Sequence, residues 1–193
     1  MTRAGASVFA MRRASAADAP ALTVMILNRC RWLEDRGLPS WRDAVENITF
    51  QAGDGHMWVL EEEGGRLVGC TTIQPFCPPW GWTDRELAEP ADHLYTTCTD
   101  PAYSARQPGT LIAWWAVHRA ALNNKRWVRR GCFAPALVRY YQSQHFHLVR
   151  EVQRTTKRVY LLARRAVPIA PATVTEPLLR ADLQPLLTKE PTR

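Results

Sequence analysis

The spacing of apolar residues along the chain changes period several times, and each change marks a new element. Alternation over 7–13 predicts a short first strand. Ser15 and Asp18 stand at capping-box spacing, where a hydroxyl and a carboxylate three residues on satisfy free N–H groups at a helix start. Behind them Leu22, Met25, Ile26, Cys30 and Leu33 recur at helical intervals, with the aliphatic stem of Arg29 on the same stripe. The predicted helix runs from 16 to about 35, where Gly37 and Pro39 stop it. A second helix, about 40–49, carries Trp41, Val45 and Ile48 on one face. Two β-rich runs, 57–61 and 67–74, flank Glu62, Glu63, Gly64 and Gly65, a hairpin signal because glycine supplies the positive φ of a tight turn.

From 75 to 90 the chain holds Pro75, Pro78, Pro79, Trp80, Gly81, Trp82 and Pro90, which predicts a long loop with exposed aromatics. A central strand is expected over 93–99, ended by Asp100-Pro101 because proline cannot donate to a ladder. A helix over 109–124 places Leu111, Trp115, His118 and Leu122 on one stripe and stops at Asn123-Asn124. There follow a strand over 127–132, a helix over 135–144 with proline in its first turn, and an antiparallel pair, 148–152 with 159–163. This order predicts an α/β single domain, a mixed central sheet flanked by helices, over 8–165. Residues 1–7 read as a flexible leader and 166–193 as a Pro-rich extension.

Composition narrows the class. At 193 residues, 46% of them hydrophobic, the chain is long enough to bury its own core. Its longest apolar runs, 21–27 and 111–117, fall short of the roughly 20 residues that span a bilayer, and the N-terminus lacks a secretory apolar stretch, so a cytoplasmic protein without a membrane span is expected. Five cysteines without CxxC or histidine-paired spacing argue against a disulfide framework and a structural zinc site, and read as buried thiols. The net charge of +7 is uneven: over 125–165 eleven Lys/Arg face one acid, Glu151. That region should attract anions, whether a phosphorylated cofactor or an acidic partner.

Chemistry concentrates around residue 100. A strand ends in Asp100-Pro101-Ala102-Tyr103, the loop Ser104-Ala105-Arg106-Gln107-Pro108-Gly109 follows, and a helix opens at Thr110. Such a junction aims free N–H groups and a helix dipole at one point, where a pyrophosphate is favoured. With the strand Leu94-Tyr95-Thr96-Thr97-Cys98-Thr99 and the segment 137–146, this order resembles the GNAT superfamily of acetyl-CoA-dependent N-acetyltransferases over residues 8 to about 165. The segments from Trp32-Leu33 to Trp41 and Gly64-Gly65-Arg66-Leu67-Val68-Gly69 look like those of actinobacterial-type members.

The resemblance implies acyl transfer from acetyl-CoA, or another acyl-CoA, to a primary amine of a small molecule or peptide. The family's loop reads Arg/Gln-x-x-Gly-x-Gly/Ala; here those positions are Ser104, Gln107 and Gly109, so only the last glycine matches, and Pro108 deletes one backbone N–H. Arg106 and the Gly109 and Thr110 amides are the compensating cofactor contacts. By the same resemblance an amide within Thr97, Cys98 and Thr99 polarises the thioester, Cys98 and Cys132 flank the cofactor arm, and Tyr141 protonates the departing thiolate. The family's later motif reads Ala134, Tyr141, His145 and Phe146 here. Asp92 or His93 is the expected base, with Glu86 and Glu89 as weaker choices, and Trp80 and Trp82 wall the acceptor pocket. A monomer or homodimer is expected. The competing reading is a GNAT-fold binding or regulatory module whose basic face meets an acidic partner; nucleic acid is disfavoured because few aromatics interleave the cations.

Overall fold

Eight strands make one sheet in the order β1-β2-β3-β4-β6-β8-β7, with β5 bonded to β3 off that path. The computed structural model describes residues 9–169, so the expected leader and most of the expected extension lie outside the described residues. Strand β1 (Phe9–Arg13) lies antiparallel to β2 (Met57–Glu62), which pairs β3 (Arg66–Gln74) through the predicted Gly64-Gly65 turn. Ser15 and Asp18 form their capping box at a 3-10 turn (Ala16–Asp18) that leads into helix α1 (Ala19–Glu34). Asp18 also accepts from Arg12 at 2.8 Å, which locks the helix start to β1. Helix α2 (Val45–Phe50) follows a 3-10 turn and is shorter than the predicted helix; Val45 and Ile48 are buried, while Trp41 stands exposed before it.

The predicted loop over 75–90 contains one helical turn, α3 (Asp84–Leu87), because Thr83 and Glu86 make a complete capping box. Its aromatics diverge: Phe76 is exposed, Trp80 half-buried, and Trp82 buried against Val159 and Leu161. Helix α4 (Pro108–Leu122) buries Ile112, Ala113, Trp115, Ala116, Val117 and Ala120. That face is broader than the predicted stripe, and Leu122 lies outside it, exposed. The small residues let α4 approach the sheet so closely that a Cβ on Gly69 of β3 would sit 2.8 Å from Ile112 Cδ1. Asn124 ends the helix in the left-handed region with φ 55°. Strand β6 (Trp127–Cys132), helix α5 (Pro135–Gln142) and the hairpin β7 (His147–Arg154) with β8 (Lys157–Arg165) complete the chain. One core lies between the sheet and α4 and α5, the other beneath α1 and α2.

The decisive departure from sequence expectation is in the middle of the sheet. The strand expected over 93–99 is two strands, β4 (Ala91–Leu94) and β5 (Cys98–Thr99), separated by Tyr95, Thr96 and Thr97. Thr97 donates its hydroxyl to the Tyr95 carbonyl at 3.0 Å, a local bond that competes with the ladder. Strand β4 runs parallel to β6 from Ala91↔Trp127 to Leu94↔Arg130. Past that pair the two part: β5 stays with β3, and β6 continues along β8 to Cys132↔Tyr160. The sheet therefore opens into a slot whose closed end is the Leu94–Arg130 pair.

Candidate active site

The slot takes its chemistry from the break that creates it. Tyr95 N–H donates to the Thr72 carbonyl at 2.9 Å, whereas the Thr96 and Thr97 N–H groups have no backbone acceptor among the described residues. Cys98 and Cys132, both buried, stand on the strands that part, and burial raises both thiols above their ordinary value. They are poor nucleophiles there.

Helix α5 covers the slot. Tyr141 is buried on its inner face, and its hydroxyl has no hydrogen-bond partner among the described residues. Burial raises its phenol, and the nearby Arg130 guanidinium opposes that rise, so it is protonated at neutral pH. Arg130 itself lies with Cζ 3.5 Å from the Tyr141 ring centroid and 5.7 Å from that of Phe146. Its Nη2 donates to Thr97 Oγ1 at 3.2 Å, which ties β6 to the break. Arg130 is 4% exposed, its Nε is buried without an acceptor, and burial holds the guanidinium below its usual value.

At the mouth of the slot the expected phosphate loop is wound into a 3-10 helix (Pro101–Arg106). Asp100 caps it by accepting from Ala102 N–H at 3.0 Å, and Gln107 follows in the left-handed region with φ 51°. The backbone thus takes the shape a glycine favours without having one at that position. Gln107 N–H donates to Ser104 O, Thr110 and Leu111 N–H donate to Gln107 O, and Pro108 has no N–H. Arg106 is turned toward Glu62 at 2.6 Å. Among the described residues, the Gly109 N–H, the exposed Ser104 hydroxyl and the Tyr140 hydroxyl stay available to an anion. A Cβ on Gly109 would stand 2.5 Å from that Tyr140 oxygen, so only glycine keeps this cradle open. Thr110 is engaged by Gln144 Nε2 at 3.3 Å. The slot and its free amides fit an acyl-pantetheine arm, and the mouth offers a diphosphate fewer donors than a full glycine-rich nest.

The expected bases stand on β4 at the closed end of the slot, with the His93 ring 6.0 Å from that of Tyr95, and both are engaged by neighbours. Asp92 faces α4, 5% exposed in its side chain, and accepts from Arg119 Nη1 at 2.8 Å. Burial raises its carboxyl, against the pull of Arg119 and Lys125. His93 faces the opposite side of the sheet, where Nε2 contacts Cys77 Sγ and its ring meets Trp82 edge-on. Burial first, then the charge of Arg129, brings its imidazole down to about 4, so it is neutral at physiological pH. Trp82 belongs to this packing and lies 4.7 Å under the Arg129 guanidinium, while Trp80 carries Arg154 at 4.4 Å. Glu86 bonds Arg150 at 2.9 Å and Glu89 bonds Arg129 at 2.9 Å, so both serve in ion pairs.

A cavity of about 390 Å³ opens instead against the break itself, lined by Gln51, Asp54, His56, Thr72, Gln74, Phe76, Tyr95 and Thr96. Asp54 and His56 carry side chains able to accept a proton there, and neither is among the residues singled out from the sequence. The available signal was their place, Asp54-Gly55-His56, directly before the buried strand β2.

No protein-family profile matches the sequence, and no curated protein matches it significantly. Solved structures do. A GNAT-family acetyltransferase from Listeria monocytogenes superposes with a TM-score of 0.67 at 21% identity, covering 85% of this chain and 98% of that one. The Drosophila melanogaster polyamine N-acetyltransferase that forms N-acetylagmatine gives 0.59 at 14%, covering 82% and 100%. The Escherichia coli ribosomal-protein-S18-alanine N-acetyltransferase gives 0.59 at 13%, covering 84% and 96%. With its opened sheet and its order of elements, the chain has the fold of the GNAT acetyltransferases.

Proposed function

We propose that this protein is a cytoplasmic N-acyltransferase that moves an acyl group from acyl-CoA to a primary amine by direct transfer. The observation that carries the reading is the slot: two parted strands, unpaired Thr96 and Thr97 amides on one side, and the unbonded Tyr141 hydroxyl on the other. Bound acyl-CoA supplies an acyl group activated on sulfur. Ser104, the Gly109 N–H and Tyr140 would hold its phosphates, aided by the positive end of α4. The Thr96 and Thr97 amides stabilise negative charge on the acyl oxygen without reorganising. His56, two residues on from Asp54, takes the proton from the amine in the 390 Å³ cavity. Tyr141 gives its proton to the leaving sulfur as the carbon–nitrogen bond forms and the carbon–sulfur bond breaks. The mixed lining of the cavity, with Asp54 and Gln74 beside the rings of Phe76 and Tyr95, suits a small amine or the end of a peptide. Asp92 and His93 are reassigned to packing roles, because an ion pair holds one and burial neutralises the other.

Calorimetric titration with acetyl-CoA and free coenzyme A at moderate salt, followed by an amine screen, tests the reading. Tyr141→Phe is expected to lower kcat by about 10²-fold with KM changed little, the range typical of a lost general acid. Unchanged turnover would refute the assignment. The shortage of diphosphate donors favours a second reading, a module that binds an acidic partner through the 125–165 region without transfer. Absence of any coenzyme A binding would support it.

A further inference from the structure

Arg130 is an uncompensated charge at the closed end of the slot. A guanidinium offers five N–H donors. Here Nη2 reaches Thr97 Oγ1, and no further acceptor for the group occurs among the described residues. No carboxylate is among the titratable groups that act on it; those are the Tyr141 and Tyr140 phenols and the Cys132 thiol. The Tyr141 face offsets part of the desolvation, but cation–π contact is weaker than the pairing a buried cation requires. As a packing element Arg130 has no advantage: an apolar side chain of similar volume would fill the space without stranding a charge.

Its position indicates what completes it. Arg130 is the last residue of β6 paired with β4, opposite Leu94, so its guanidinium stands where the slot ends. The Thr97 bond fixes the fork beside the free amides that would polarise a thioester. An acyl chain held at those amides would extend toward the fork. A planar guanidinium with open donors matches a carboxylate bidentately.

We infer that Arg130 forms an anion subsite in the acyl pocket and that the group transferred carries a terminal carboxylate, as in a dicarboxylic acyl thioester of the succinyl type. The inference rests on the acyltransferase reading for its substrate and deepens it. In this role Arg130 is specificity-determining: it pairs with the far end of the acyl chain, while Thr96 and Thr97 act at the reacting carbon.

The test pairs two four-carbon donors that differ in the carboxylate, succinyl-CoA and butyryl-CoA. Calorimetry on the unaltered protein is expected to give succinyl-CoA the tighter binding, and kcat/KM with a primary amine is expected to favour it by about 10²-fold, as for a desolvated guanidinium–carboxylate pair. Arg130→Met should collapse both ratios to within about threefold without lowering the melting temperature, and Arg130→Lys should restore part of the preference. Equal or tighter binding of butyryl-CoA, or a preference that survives in Arg130→Met, overturns the inference. Transfer from both donors without preference overturns the subsite alone. Preferential binding with no transfer to any amine supports the subsite and refutes the enzyme reading. Binding of neither thioester overturns both.

Discussion

Adding one methyl group at the start of α4 measures how closely α5 closes over it. In Gly109→Ala the new Cβ meets the Tyr140 hydroxyl at 2.5 Å, nearly 1 Å inside an ordinary contact. The hydroxyl cannot retreat alone: Tyr140 Cζ and Cε1 lie 3.5 and 3.7 Å from the same point, and the ring rests against Tyr141 at a centroid distance of 5.6 Å. Overpacking of this kind costs about 1–3 kcal/mol. Alanine recovers about 1 kcal/mol of helix propensity over glycine, leaving a net loss of up to about 2 kcal/mol. Tyr140→Phe alone removes a half-exposed hydroxyl and should stay within about 0.5 kcal/mol of the parent. In the double variant the nearest remaining atom is Cζ at 3.5 Å, an ordinary contact, so stability should return to the parent value or exceed it. Urea unfolding of the four proteins, read as midpoints at constant slope, gives the coupling directly. Additivity within about 0.5 kcal/mol would refute the packing of Tyr140 on Gly109.

Acid stability should depend on His93. Its folded value of about 4 lies below the ordinary 6.5, so between those pH values the unfolded chain binds the extra proton. Stability should therefore fall as pH drops from 6.5 toward 4, by about 3 kcal/mol at most. Urea midpoints across that range should flatten in His93→Gln, and an unchanged slope would contradict the burial. Arg119→Met strands the buried Asp92 carboxylate and should cost about 3–5 kcal/mol at pH 7, most of it regained in Arg119→Met/Asp92→Asn; comparable losses in both proteins would discount the pair. Trp82→Ala should cost about 3–5 kcal/mol, because the ring fills the space between His93, Arg129 and Leu161, and a change below about 1 kcal/mol would place it on the surface.

Element types were legible wherever local patterning decided them. The Ser15–Asp18 box, the Gly64-Gly65 hairpin and the Asn123-Asn124 stop all stand where spacing and turn chemistry put them. The site was less legible, because its residues act across strands. Leu94 to Thr99 is uniformly strand-prone, and its break depends on the Thr97 hydroxyl, which donates to the Tyr95 carbonyl and accepts from Thr71. Arg130 sits in the basic 125–165 region, where charge alone does not single out one arginine from the others. Alternation along β6 puts it on the face of Val128 and Cys132, and the structure buries all three. Asp92 and His93 are neighbours in sequence, so they face opposite sides of the sheet, the one toward Arg119 and the other toward Cys77. Trp82, expected as an exposed loop aromatic, is buried because the β8 side chains Val159 and Leu161 and the Arg129 guanidinium give its ring surface to cover.

Strand β4 is a rivet between two plates. It holds one half-sheet through Ile73↔Leu94 and Gln74↔His93, and the other through four residue pairs with β6. A small rotation about that short join would change the gape of the slot at its far end while every ladder bond within each plate stays intact. Width at the mouth is then nearly free in hydrogen-bond terms, whereas the closed end, clamped by Leu94 and Arg130, has a fixed size. The scaffold can vary in width at its entrance while its apex keeps one size.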